Sequence, residues 1–222
     1  MSITLEKNQS DISKPGLRTH IGITAPMLLN NIDTDQIIPS REIKKVSKEG
    51  LAEGLFAGQR YIPNELNERE LNPDFILNQS PYEQASILLS RKNFGCGSSR
   101  EHAVWALREY GFKVIIAESF GTIFRTNCLR NGVLPIAFTP DIISQLNEKV
   151  IADPLKNKLH VDVTSKTVTS ADNVVYPFEI EAHFQDMLVN GLDFISLTLR
   201  RQKQIQTFIQ EDKIQRSWAY LK

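Results

Sequence analysis

Residues 85–138 read ASILLSRKNFGCGSSREHAVWALREYGFKVIIAESFGTIFRTNCLRNGVLPIAF. The spacing predicts a short strand over Ala85–Leu89, a Gly/Ser-rich turn over Arg91–Ser99, and a helix over Arg100–Tyr110. Ala103, Trp105, Ala106 and Leu107 give that helix its packing residues, and Gly111 supplies the glycine that commonly ends one. Val114–Ala117 is a second buried strand, Gly121–Asn131 a second helix closed by Gly132, and Val133–Phe138 a third strand. Strand–helix–strand–helix–strand is the order of an α/β unit built on a parallel sheet.

Outward from this unit the pattern changes. Leu17, Thr19, Ile21 and Ile23 alternate, which predicts a strand with these four residues on one face. Asn30-Asn31-Ile32-Asp33-Thr34-Asp35 reads as an Asx-rich turn, closed by Ile37-Ile38-Pro39. Gly50–Gln84, with its glycines, prolines and the charged patch 65–70, is the least regular segment, and loops of that length are functional or disordered. Phe56, Arg60 and Tyr61 within it favour function. Past the unit, Thr139-Pro140 opens a helix to about Lys149. Leu159, Val161, Val163 and Val168 form a hairpin turning near Ser165-Lys166, and the chain returns to helix after Pro177. Ile205, Phe208 and Ile209, with Trp218 beyond, suggest an amphipathic helix that closes the molecule. The organisation expected is a leader over 1–16, one domain over 17–199 and a helical extension over 200–222.

Chemistry concentrates in Asn93-Phe94-Gly95-Cys96-Gly97-Ser98-Ser99-Arg100-Glu101-His102. A glycine-rich turn between strand and helix directs N–H donors at a helix N-terminus, where anions bind. Two hydroxyls and an arginine able to clasp a carboxylate with parallel hydrogen bonds fall at the same point. Ser98-Ser99-Arg100-Glu101 also fits a capping box, in which the serine and glutamate merely close the helix end. Both readings stand on the sequence. Asp33 and Asp35 are more simply turn residues than metal ligands, His102 a helix histidine, and Cys96 lacks a nearby histidine to activate it. Neither GxGxxG nor GxxxxGK[ST] occurs, which argues against nucleotide binding.

Lys+Arg and Asp+Glu are equal at 26 each, so no global field holds a nucleic acid. No apolar run approaches the length of a membrane span, and residues 1–15 lack a secretory h-region. Cys96 and Cys128 are too few for a disulfide framework or for an iron–sulfur cluster held by this chain alone. A cytoplasmic protein is expected.

The words Asn31-Ile32-Asp33-Thr34-Asp35-Gln36-Ile37-Ile38-Pro39 and Asn93–Ala103, with residues 110–117, Leu134-Pro135, Asn190-Gly191-Leu192-Asp193 and Leu197-Thr198-Leu199, resemble bacterial 3-isopropylmalate dehydratase small subunits of the aconitase superfamily. The likeness spans about Leu17 to Leu199. It implies an α/β swivelling domain of β/β/α layers, with mixed sheets and flanking helices. It further implies a heterodimer, or a higher assembly, with a large subunit that carries a [4Fe–4S] cluster over which this chain closes.

The same resemblance implies roles. Ser98 would be the catalytic base, Ser99 and Arg100 would bind a carboxylate of a small polycarboxylate substrate, and Asp35 would orient the site. Arg60, in the irregular segment, is a further expected substrate contact. The reaction implied is isomerisation of 2-isopropylmalate and 3-isopropylmalate through isopropylmaleate, in leucine biosynthesis. The alternatives are a related hydro-lyase subunit acting on homoaconitate, citraconate or a dimethylmalate, and a non-catalytic carboxylate-binding module.

Overall fold

The computed structural model describes residues 16–43, 50–63 and 69–220. Residues 1–15 of the expected leader and most of the charged patch at 65–70 lie outside them. The chain runs β1 (Thr19–Gly22), β2 (Thr24–Met27), α1 (Thr34–Ile37), α2 (Ala57–Arg60), β3 (Tyr61–Pro63), β4 (Arg69–Leu71) and β5 (Ile87–Ser90). It continues through α3 (His102–Tyr110), β6 (Val114–Ala117), α4 (Thr122–Arg130), β7 (Leu134–Ala137) and α5 (Pro140–Ala152). The last third holds β8 (Leu159–Asp162), β9 (Thr167–Thr169), β10 (Val175–Pro177), α6 (Ala182–Asn190), α7 (Phe194–Leu199) and α8 (Gln202–Gln215).

The expected parallel unit is present, with one strand added at its edge. β2, β5, β6 and β7 lie side by side in that order, each parallel to the next. β6 (VIIA) is buried along its whole length, as a strand covered on both faces requires. Alternate residues serve different cores. Leu88 and Ile115 face one cluster with Ala103, Val104 and Leu107 of α3 and Phe124 and Cys128 of α4. Ile87, Leu89, Val114 and Ile116 face another with Ile143, Leu146 and Val150 of α5 and with Leu159, Val161 and Val168 of a second sheet. That second sheet is antiparallel, in the order β1–β8–β9–β10. Helices α3 and α4 thus cover one face of the parallel sheet, and α5 with the antiparallel sheet covers the other; each Leu or Ile so buried contributes about 1.5–3 kcal/mol.

The N-terminal alternation does not describe one strand. Ile21 is 64% exposed, whereas Ile23 is in the core. The chain changes sheets between them: β1 pairs with β8 and β2 pairs with β5. Gly22 sits at the crossing, where a Cβ would lie 2.1 Å from Ser86 Oγ.

The irregular segment is built around α3. Glu109 accepts hydrogen bonds from the backbone N–H groups of Gly50, Leu51 and Ala52 at 2.6, 2.6 and 3.0 Å. Phe56 is fully buried and Tyr110 Oη donates to the Leu77 and Glu83 carbonyls. At the other end of the chain, α8 does not close the molecule. Only Asp212 of α8 is buried, held by Arg216 and Tyr220 of the same segment. Ile205, Phe208 and Ile209 are exposed, and Trp218 is 76% exposed. No helix among the described residues is long and apolar enough to cross a membrane.

Candidate active site

The loop from β5 to α3 leaves the carboxyl ends of the parallel strands, the edge where open α/β sheets place their sites. It lies against the turn that precedes α1. Asn31 N–H donates to the Lys92 carbonyl at 2.8 Å, Gly95 N–H to Ile32 at 2.7 Å, and Thr34 N–H to Cys96 at 2.9 Å. Asp33 and Cys96 form a parallel bridge. Two stretches about 60 residues apart in sequence are thus joined backbone to backbone. Gly95 has φ +72°, and a Cβ there would fall 2.1 Å from Cγ of Phe124, so only glycine fits. Beneath the loop, Phe94 meets Phe124 edge-on with centroids 5.4 Å apart.

Asp33 closes the start of α1 with a capping box. Its carboxylate accepts from Gln36 N–H at 2.7 Å, and Gln36 Oε1 accepts from Asp33 N–H at 2.9 Å. Asp35 is thereby turned to the rim. It accepts from Arg100 Nη1 at 2.5 Å and from Ser40 Oγ at 3.1 Å, and Arg100 Nη1 also donates to Ser40 Oγ at 2.8 Å. The Arg100 hydrogen bond, reinforced by the bond from Ser40, holds the Asp35 carboxyl below its ordinary value of 3.8. Among the described residues both hydrogen bonds of Arg100 use Nη1, which leaves the rest of its guanidinium edge for another carboxylate.

Of the two readings of Ser98–Glu101, the capping box does not form. α3 begins at His102, its N-cap is Glu101 in helical conformation, and no side chain caps it. The reason lies in two competing partners. Glu101 Oε1 accepts from Asn131 Nδ2 at 2.6 Å, and Ser98 turns toward Thr34. Ser98 N–H donates to Thr34 Oγ1 at 3.2 Å, and the two hydroxyl oxygens are 3.3 Å apart. Ser98 and Ser99 are exposed. The hydroxyl of Ser98 is thus available at the mouth of the loop, just before a helix start whose first N–H groups lack intrahelical acceptors.

The structure brings Ser98, Ser99, Arg100 and Asp35 to one rim. It does not bring Arg60 there. Arg60 donates to the Ala52 carbonyl at 3.0 Å and lies over the rings of Tyr61 and Tyr110, 5.5 and 5.0 Å from their centroids. Tyr110 ends α3, about 13 Å along the helix axis from its start. Four contributors are not among the site residues the sequence points to: Thr34, Ser40, Asn127 and Asn131. Asn131 is buried at the C-cap of α4, donating to Glu101 and accepting from Trp105 Nε1 at 3.0 Å, while Asn127 Nδ2 reaches the Ser99 carbonyl at 3.4 Å. Two buried asparagines four residues apart on a helix are the signal that marks them.

The two thiols do not form a ligand set. Cys128 is buried in the apolar cluster, and burial pushes its thiol well above 9.0. Cys96 is half-buried; burial, then the charge of Asp33, pushes its thiol up as well. Among the described residues no three His, Cys, Asp or Glu side chains converge to hold a metal ion.

The aconitase C-terminal domain model matches residues 14–141, which include the whole rim. The 3-isopropylmalate dehydratase small subunit of Cupriavidus necator is 47% identical over 201 residues, covering 90% of this chain and 96% of that protein. The protein of the same name from Halalkalibacterium halodurans is 45% identical, over 86% and 96% respectively. Among solved structures, 3-isopropylmalate dehydratase from Methanocaldococcus jannaschii DSM2661 superposes with a TM-score of 0.60 at 25% identity, covering 85% of this chain and 98% of that one. With relatives this similar along nearly their whole length, and with the two words that carry the resemblance forming one rim, the chain belongs to the family of 3-isopropylmalate dehydratase small subunits, built on the aconitase C-terminal domain.

Proposed function

We propose that this chain is the substrate-closing half of a hydro-lyase that interconverts 2-isopropylmalate and 3-isopropylmalate through isopropylmaleate in leucine biosynthesis, active only in a heterodimer or higher assembly with a large subunit. The carrying observation is the rim itself. An uncapped serine hydroxyl, a carboxylate-binding arginine and the acid that orients it stand together at the start of a helix.

In this reading Ser98 removes the proton next to a substrate carboxylate and returns it in the reverse addition. Arg100 grips a carboxylate with the guanidinium edge that Asp35 and Ser40 leave open, and Ser99 adds a hydroxyl to the same grip. A serine exposed to water is too weakly acidic to act this way at neutral pH. Closure against the partner excludes water and leaves N–H donors and the arginine to stabilise the charged oxygen. That requirement explains why the isolated chain is inactive in this proposal.

We assign the [4Fe–4S] cluster that the family implies to the partner, because this chain has two cysteines and such a cluster commonly takes three or four thiolates. When bound, such a cluster supplies the Lewis acid for the departing hydroxyl. Arg60 stands outside the proposal, because its guanidinium is engaged beside Tyr110. A cytoplasmic location accords with the free thiols.

The test is anaerobic turnover of 2-isopropylmalate by the complex with a cluster-loaded large subunit, comparing wild type with Ser98→Ala. Loss of roughly three orders of magnitude or more, with assembly intact, is the expected result. Turnover that survives the substitution removes Ser98 as base. Absence of wild-type turnover on 2-isopropylmalate, with turnover of homoaconitate or citraconate, moves the substrate within the superfamily.

A further inference from the structure

Thr34 is 1% exposed, and among the described residues both partners of its hydroxyl are atoms of Ser98. Other threonines use their hydroxyls differently: those of Thr126, Thr198 and Thr207 donate to carbonyls four residues back in their own helices. The position of Thr34 is fixed from two sides. Its backbone N–H is held by the Cys96 carbonyl, and the Asp33 capping box fixes the turn of α1 that carries it. Gly97, at φ +92°, passes close by; a Cβ there would lie 3.4 Å from Thr34 Oγ1. The hydroxyl therefore faces Ser98 through rigid backbone on both stretches.

A threonine hydroxyl carries one proton and two acceptor lone pairs. The Ser98 N–H occupies one lone pair. While Ser98 is neutral, either hydroxyl can donate to the other across 3.3 Å. Once Ser98 has lost its proton the direction is forced, because only Thr34 then has a proton to give. A hydrogen bond to a charged oxygen is roughly twice as strong as a neutral one.

We infer that Thr34 is a positioning residue for the dehydration, fixing the backbone of Ser98 and donating its hydroxyl proton to Ser98 Oγ when that oxygen carries charge. This rests on Ser98 being the base, and the experiment separates the two claims. The assembled enzyme, with its cluster-loaded large subunit, is assayed anaerobically across pH as wild type, Thr34→Val, Thr34→Ser and Ser98→Ala.

Thr34→Val keeps the shape and removes the hydroxyl. It lowers kcat by about 10- to 100-fold with KM changed by less than about threefold, and moves the rising limb of the kcat–pH profile to higher pH by about one unit. Thr34→Ser keeps the hydroxyl and restores kcat to within about threefold of wild type. A merely structural threonine would change stability and leave the pH profile in place.

Wild-type kcat and pH profile in Thr34→Val overturn the inference, as does Thr34→Ser falling as far as Thr34→Val, because a retained hydroxyl would then fail to preserve the rate. If Thr34→Val fails to assemble, the Thr34→Ser and Thr34→Ala pair decides: a tenfold gap in kcat supports the donor role, and equal rates overturn it. If Ser98→Ala stays active, the base assignment falls and Thr34 falls with it. If Ser98→Ala is inactive while Thr34→Val is not, only Thr34 falls.

Discussion

The Asp35 carboxylate and the Arg100 guanidinium meet at 2.5 Å across 65 residues of sequence, on the rim that also carries Ser98. Arg100 is a long side chain with several rotatable bonds, and holding it in one direction costs rotamer freedom. Asp35 and Ser40 meet that cost before any ligand arrives, so the open guanidinium edge is aimed in advance.

Replacing Asp35 by Ala frees Arg100 to sample other directions. The expected effect is a fall of about tenfold in kcat/KM, carried mostly by KM, with assembly and Tm nearly unchanged because the pair is at the surface. Saturation kinetics of the assembled enzyme check it. The pair also makes a pH prediction. Arg100 lowers the folded-state pKa of Asp35 below 3.8, so the contribution of the pair is complete above pH 3.8 and is lost as pH falls through the lower folded value. Neutral assays therefore see the pair fully formed. In Arg100→Ala the Asp35 titration, followed by carboxyl NMR, moves back up toward 3.8.

Much of this architecture is legible in residues 85–138, because a parallel sheet buries both faces of its strands and writes them as apolar runs such as Ile87–Leu89 and Val114–Ala117. The rim was legible in part. Ser98, Ser99, Arg100 and Asp35 belong to two recognisable words, but which hydroxyl meets which acid is a matter of tertiary contact. Hence Ser98–Glu101 reads equally well as a capping box, although Thr34 and Asn131 take the two ends of it. Alternation misled at Leu17–Ile23, because period-2 patterning cannot register a strand that breaks at Gly22 to join another sheet. The place of Arg60 beside Tyr61 and Tyr110 is likewise a matter of tertiary contact, which no periodicity in its segment records.

Asn131 braces the rim from below. It is buried, and its amide satisfies Glu101, Trp105 and the Asn127 carbonyl at once. Asn131→Ala removes these three hydrogen bonds together and is expected to cost about 2–3 kcal/mol. Urea unfolding of the isolated chain measures it as a lower midpoint at unchanged slope. A change below about 0.5 kcal/mol would show that water replaces the amide and that the loop does not depend on α4 for support.

The extension from residue 200 is expected to be separable from the body. The side chains of α8 other than Asp212 are exposed, and Asp212 is held by Arg216 and Tyr220, which leave with it. The junction ion pair, Arg200 with Asp186 at 2.9 Å, is half-exposed and stays if the chain ends after Arg201. A chain truncated there should unfold within about 2 °C of the full chain, since surface changes of this kind stay within roughly 0.5 kcal/mol. A 14-residue helix with so little burial is marginal in water, so the full chain should also lose helical circular dichroism over α8 well below the main transition. A single transition that drops by 5 °C or more on truncation would place the boundary of the folding unit beyond residue 199.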